Sequence, residues 1–530
     1  MLDPPLKGGF RHGKMRSSST DLPPNQSKTP FHSATSGVVL FLVAFFLYFI
    51  GRAPFLGQWD SFDYLKQTVT HRLSDLAFGR PVFIGYNIIL WELSKRLFGL
   101  TALQVGGVVT AGVIGFGSLG VLLFRRLARQ LLPGSMSRMA TLAFLLSPMY
   151  AVYSGSVMTE VPMLVAILAT AIVLWESGER HPIRGPLAGG LLFGLAVGIR
   201  EQAATLGAAC LWILWERRPD LPSRMRAWLL FALSAGTSMV VPILVLYLHD
   251  PAAFFERTRT WMHAIPVGGS HFLKNMEAAL LFALAVCPGA WLALSGGGIL
   301  FGCRRAFAAL RPARTALPPA RDDGAARGRR AQVAHPVWGF FCGFVLPMAV
   351  LWRDADVQMH PRYLLIILPS ALLIGACLYS RLLPSSKAAV AWAVLQIFIF
   401  GLGAITLAPI RQIQYQKRAF ASLVRETVSD DCLLIAGGFS PVLDFNRGLG
   451  DRPNWRILWS GWGWSQKKAE TTIRDAWARH APVYLCDAPF GWLMIEDERL
   501  DIHFILKDCC REVIAPGISR YYPRSSPTRP

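Results

Sequence analysis

The feature that most constrains this chain is a succession of apolar runs separated by short polar stretches. The first is Gly37–Ile50, and others follow at about 81–99, 102–124, 139–155, 160–176, 186–199, 202–215, 227–248, 276–302, 336–352, 362–380 and 388–409. With their flanks, most approach the roughly 20 residues that cross a bilayer as a helix. Backbone amides in hydrocarbon must be paired within the segment, so such runs fold as helices. With 53% hydrophobic and only 16% charged residues, the bulk of the chain reads as a polytopic membrane protein. The formal net charge of +21 does not call for nucleic acid, because loops facing the cytoplasm and anionic headgroups carry a basic excess. Membrane lipids are expected partners and nucleic acid is not.

Charge placement sets the topology. Residues 1–36 are rich in Ser, Pro and Lys/Arg without apolar periodicity, which predicts a disordered tail. Lys7, Arg11, Lys14, Arg16 and Lys28 against Asp3 and Asp21 hold that tail in the cytoplasm. No small-residue cleavage site follows Gly37–Ile50, so it reads as a first transmembrane helix and not as a removed signal. If 81–99 also crossed, the basic loops 125–138 and 303–335 would fall outside, against the positive-inside rule. We therefore expect 81–99 to lie along, or re-enter, the outer side, giving about 11 spans within 37–410. The alternative is that 81–99 crosses and 186–215 makes a single crossing.

Residues 411–530 change character, with frequent charge and strand-length apolar runs. Cys432–Ala436, Trp455–Trp459, Pro482–Cys486 and Ile502–Leu506 read as strands, and 412–428 and 466–480 as helices. The fold class is thus mainly α, a transmembrane helical bundle with a C-terminal soluble α/β domain placed outside. Glycine turns at Gly437-Gly438, Gly448-Leu-Gly450 and Gly461-Trp-Gly463 lack the spacing of a nucleotide fingerprint. Trp455, Trp459, Trp462 and Trp464 are offered either to sugar rings or, the bland reading, to the domain core. Nine cysteines without metal-ligand spacing leave a C-terminal disulfide open but unimplied.

Charge is otherwise concentrated beside the outer surface. Trp59-Asp60-Ser61-Phe62-Asp63-Tyr64 and Gly79-Arg80-Pro81 read as an active-site loop within 52–101. Glu160 opens its apolar run, Arg200-Glu201 interrupts 186–215, and Arg362-Tyr363 follows His360. Each has an ordinary alternative: a solvated loop for Asp60 and Asp63, a favourable helix N-terminus for Glu160, a surface pair with Glu201 for Arg200, and interfacial anchoring for Arg362-Tyr363.

The ordered set carries a resemblance. The first helix, Asp60-x-x-x-Tyr64, Arg80-Pro81 with a helix closing in Leu97-Phe98-Gly99, Ser147-Pro148, and Met158-Thr159-Glu160 come first. Gly190-x-x-x-Gly194-Leu195 with Arg200, then Arg362-Tyr363 leading to Pro369, complete it. This order resembles the GT-C membrane glycosyltransferases, and within them the aminoarabinose transferases and protein O-mannosyltransferases that use polyprenyl-phosphate sugars. The resemblance implies a catalytic Asp in the first outer loop, mapping to Asp60. Ser61 stands where many relatives carry a second acid, so Asp63 remains the other candidate.

Sugar transfer from a phosphate to a hydroxyl needs a base for the acceptor proton and cations for the departing phosphate. Asp60 is the expected base. Tyr64, Arg80, Glu160, Arg200, Arg362 and Tyr363 are the expected substrate-binding residues. The resemblance leaves a divalent metal ion open, with Glu160 and His263 as candidate ligands. It implies a lipid-phosphate sugar as donor and a lipid, glycan or protein as acceptor, at the outer face of a bacterial inner membrane. A transporter or flippase of lipid-linked saccharides is the alternative, but its charges should line a path at mid-membrane depth.

Overall fold

The computed structural model describes residues 30–53, 59–71, 80–132, 134–177, 181–218, 220–249, 361–382, 386–436, 454–459, 466–487 and 501–524, with isolated residues at 251, 254–255 and 442–443. Most of the remainder falls within 250–360, including the readings at 276–302, 303–335 and 336–352, and His263.

Ten helices fill the first half: α1 (Pro30–Gly51), α2 (Trp59–Thr70), α3 (Pro81–Phe98), α4 (Val105–Leu131), α5 (Gly134–Leu146), α6 (Pro148–Ser154), α7 (Glu160–Ser177), α8 (Arg184–Ile199), α9 (Gly207–Glu216) and α10 (Leu221–His249). Beyond residue 360 come a 3-10 turn at Pro361–Ile367, then α11 (Leu368–Leu382) and α12 (Ser386–Thr427). Among the described residues three helical stretches are long and apolar enough to cross a membrane: Ala102–Leu131, Glu160–Ser177 and Leu221–Val245. The helices fit a membrane protein, and the expected 11 spans are not all present in that set.

Two readings in the first half of the chain need correction. Trp59–Tyr64 is not a loop: it opens α2, because Phe62 and Leu65, with Ser61, Tyr64 and Thr68, are buried at helical spacing. The run 139–155 is broken at Ser147, since Pro148 has no N–H to donate and begins α6.

Close helix approach comes from glycine. A Cβ on Gly190 would stand 2.3 Å from the Phe231 carbonyl oxygen, and one on Gly194 would stand 2.4 Å from that of Ala235. The Gly-x-x-x-Gly of α8 is therefore the contact that lets α10 lie against it.

The two ends of the bundle are tied differently. Arg125 at the end of α4 donates to the carbonyl and hydroxyl of Ser36 in α1, both at 3.1 Å. At the opposite end, Gly155 meets the backbone of Arg52, and Gly106 at the start of α4 meets Leu65 of α2. Helix α3 thus leaves and returns to one end of the bundle, the end that carries Asp60.

Helix α12 runs 42 residues, through the 411 boundary, into the C-terminal domain. That domain holds β1 (Cys432–Ala436), β2 (Trp455–Trp459), α13 (Gln466–Ala478), β3 (Val483–Cys486), α14 (Ile502–Leu506), β4 (Cys509–Ala515) and β5 (Ile518–Pro523). The sheet order is β2-β1-β3-β5-β4, parallel through β3 and antiparallel beyond it. Ile502–Leu506 is a helix and not the expected strand: Asp501 accepts from the Phe504 N–H at 2.8 Å and caps it.

One sheet face buries Leu433, Ile435 and Leu485 against Ile473 and Ala476 of α13; the other buries Leu434 and Cys486 against Phe420 and Val424 of α12. Trp455 is core, its indole donating to the Ser429 carbonyl at 3.0 Å, and Trp462 and Trp464 lie outside the described residues. The described cysteines, including Cys432, Cys486, Cys509 and Cys510, are free thiols, and burial pushes Cys486 up to about 12.

Candidate active site

Five separate elements bring one charged side chain each to the same end of the bundle. Asp60 is in the first turn of α2, and Arg80 caps α3, where Pro81 fills the first helical position. Glu160 is the first residue of α7. Arg200 sits in extended backbone between α8 and the 3-10 turn Glu201–Leu206, and Arg362 lies in the turn Pro361–Ile367. All five stand at helix boundaries, where the chain turns and a side chain can reach inward. The N-termini of α2 and α7 add positive potential there, which suits the carboxylates they carry.

The ion pairs form one connected chain. Asp60 Oδ2 lies 3.5 Å from Arg80 Nη1 and 3.5 Å from Arg362 Nη2. Arg362 Nε reaches Glu160 Oε1 at 3.5 Å, and Arg200 Nη1 donates to the same oxygen at 2.7 Å. Arg200, with no exposed surface, also donates to Thr159 Oγ1 at 2.8 Å and to Gln202 Oε1 at 2.5 Å. Glu160 is 2% exposed, whereas Asp60, Arg80 and Arg362 keep 16%, 11% and 10% of their side-chain surface. The chain therefore grades from a sealed inner pair to an outer set within reach of solvent. Three guanidinium groups face two carboxylates, a residual charge of +1 that favours an anion.

The other expected residues sit around this chain. Tyr64 is fully buried, its ring 5.3 Å from Phe83 edge-on and 5.3 Å from the Arg80 guanidinium, and its hydroxyl has no hydrogen-bond partner among the described residues. Asp63, one residue before it, accepts from Gln67 Nε2 at 2.6 Å. Tyr363 is in the same 3-10 turn as Arg362. Arg200 is not the surface partner of Glu201 that its ordinary reading offered; it is a buried partner of Glu160.

Sequence reasoning missed Ser61, whose hydroxyl donates to the Val157 carbonyl at 2.9 Å and ties α2 to the strand of chain before Glu160. It also missed Gln202, for which the i, i+2 spacing to Arg200 was the available signal.

Among the described residues no group of three His, Cys, Asp or Glu side chains comes together. Glu160 lies between two guanidinium groups, a setting that repels a divalent cation, so Glu160 does not fit the ligand role that the resemblance left open, and His263 lies outside the described residues.

Residues 108–245, from α4 through most of α10, match the family model of dolichyl-phosphate-mannose-protein mannosyltransferases. The stretch includes Glu160 and Arg200. The crystal structure of ArnT from Cupriavidus metallidurans bound to undecaprenyl phosphate superposes with a TM-score of 0.54 at 14% identity, covering 94% of this chain and 100% of that one. Its apo state gives 0.55 at 14% identity, with 92% and 98% covered. This chain has the GT-C fold. The resemblance drawn from its ordered motifs is borne out. AglB, the oligosaccharyltransferase of Archaeoglobus fulgidus, in complex with an inhibitory peptide and a dolichol-phosphate, is more distant, with a TM-score of 0.43 at 11% identity over 93% of this chain and 75% of that one. No curated protein matches the sequence.

Proposed function

We propose that this GT-C chain is a glycosyltransferase that moves a hexosyl or pentosyl group from a polyprenyl-phosphate donor to a lipid, glycan or protein acceptor. The observation that carries the reading is the connected chain Arg80–Asp60–Arg362–Glu160–Arg200, with its outer half accessible and its net charge positive. The undecaprenyl phosphate bound by the ArnT structure, whose fold matches over nearly the whole chain, supports a lipid phosphate as the anion. The active site and C-terminal domain then face the non-cytoplasmic side, with the N-terminus in the cytoplasm.

In this reading Arg80 and Arg362 hold the donor phosphate. As its oxygens take those two guanidinium groups, the Asp60 carboxylate is released from its ion pairs and is free to accept a proton. The acceptor hydroxyl attacks the anomeric carbon, and its proton passes to the Asp60 carboxylate. The new bond is acceptor oxygen to anomeric carbon. The bond from that carbon to the phosphate oxygen breaks, and the electron pair leaves on the lipid phosphate. One displacement inverts the anomeric configuration. Glu160, held by Arg200, fixes Arg362 in place beside the substrate.

The test is sugar transfer by purified protein at matched folding. Asp60→Asn should lower turnover by at least about 100-fold, the range of a lost general base. Asp63→Asn should stay within about threefold of wild type, since its partner is Gln67. The reverse pattern would move the base to Asp63.

A further inference from the structure

A second polar site lies at the far end of the same helix. Helix α7 has 18 residues, so at about 1.5 Å each its end is roughly 26 Å from Glu160. There a cavity of about 1000 Å³ opens between the ends of α4, α7 and α9 and the start of α8. Its walls carry Arg126, Arg184 and Arg217 against Glu176 and Glu216, a residual charge of +1 before His181 is counted.

The charges are not equivalent. Arg126 holds the Glu176 carboxylate with both nitrogens, Nε at 2.6 Å, and Gln130 adds a third donor, so that acid is already neutralised. Arg217 stands over the Trp175 ring, its guanidinium carbon 3.9 Å from the centroid, which places a cation on the wall. Arg184 opens α8 and has no ion-pair partner among the described residues, and the α8 amide dipole points the same way.

Apolar surface continues from this pocket. Ile183, Leu187 and Leu191 follow one another at four-residue spacing along the start of α8, each 37% exposed or more. Leu221, Met225 and Leu229 do the same along the start of α10, at 52% exposure or more. Free phosphate has no use for such stripes, whereas acyl chains lie along them.

We propose that this cavity binds the phosphate headgroup of an anionic membrane phospholipid, with its acyl chains along the exposed faces of α8 and α10. Arg184 and Arg217 contact the phosphate, and the Arg126–Glu176 pair forms the wall that holds α4 against α7. The site lies at the membrane surface opposite the Asp60 chain and does not depend on the transfer reaction.

Short-chain phosphatidylglycerol and phosphatidylcholine, titrated against the full chain in detergent and followed by native mass spectrometry, test it. Phosphatidylglycerol should bind about tenfold more tightly, and Arg184→Gln or Arg217→Gln should each weaken it about fivefold while leaving phosphatidylcholine unchanged. Arg184→Lys should retain binding, and so should Asp60→Asn. Arg184 is exposed, so its variants carry the test if Arg217→Gln does not fold. Equal binding of the two lipids, or unchanged binding in the Arg184→Gln variant, overturns the site. Displacement of phosphatidylglycerol by an equal concentration of inorganic phosphate overturns the lipid assignment.

Discussion

Removing Glu160 and Arg200 together should cost the fold less than the two single removals added together. Arg200 is sealed from solvent and its Nη1 sits 2.7 Å from Glu160 Oε1, with Arg362 Nε at 3.5 Å from the same oxygen. At that shorter separation an effective dielectric near 20 gives a gross attraction of about 6 kcal/mol, most of which offsets the desolvation of both ions. Glu160→Gln leaves Arg200 buried with Thr159, Gln202 and the new amide as neutral acceptors in place of a carboxylate, and it takes the inner carboxylate from Arg362. Breaking such a pair from one side costs about 3 kcal/mol.

Arg200→Met takes from the buried carboxylate its 2.7 Å partner, leaving Arg362 Nε at 3.5 Å, and should cost a similar amount. The double variant Glu160→Gln/Arg200→Met strands neither, so its loss should fall short of the sum by about 2 kcal/mol. Denaturant unfolding in detergent, followed by tryptophan fluorescence, gives all three values. Additivity of the two single changes to within about 0.5 kcal/mol would refute the claim that the inner pair is one unit.

Further outcomes follow from the packing. Gly194→Leu should prevent α8 from seating on α10 and lower the yield of folded protein sharply, whereas Gly107→Ala, with open space around it, should be tolerated; size-exclusion profiles separate the two. Phe62 of α2 belongs to the apolar cluster of the C-terminal domain, with Phe420, Val424 and Leu434, so Phe62→Ala should destabilise by about 3 kcal/mol and loosen the α2 helix, read by amide exchange. Burial pushes the Lys417 ammonium from 10.5 down to about 8. The folded chain then binds fewer protons than the unfolded one between about pH 8 and 10.5, so stability should rise with pH across that window, and Lys417→Met should remove the rise.

Much of this architecture is legible in the sequence because lipid allows few solutions. Helices α4, α7 and α10 follow from length and apolarity alone, and α8 with α10 from the small residues between them. Strand β1 and helix α13 follow from period. What failed did so for local reasons. Asp60 and Asp63 made α2 look like a loop, although Phe62 and Leu65 lie on one face. Ile502–Leu506 has no distinctive period in five residues, and only the Asp501 cap decides it.

The site was legible as a set of residues and not as a connected one. Arg80 and Glu160 could be named from the ordered motifs. That Arg362 would join Asp60 to Glu160, across residues 60, 160 and 362, depends on five helix boundaries meeting at one end. No spacing in the chain records that.

The most direct measurement puts purified protein into vesicles holding a polyprenyl-phosphate donor with labelled sugar. It follows in one preparation the appearance of labelled acceptor, the release of polyprenyl phosphate and the movement of intact donor across the bilayer. The account predicts labelled product of inverted anomeric configuration, one released lipid phosphate per sugar, and loss of both in Asp60→Asn. Intact donor crossing the bilayer at the same rate in wild type and Asp60→Asn, with no sugar transferred, would contradict it and make the chain a transporter.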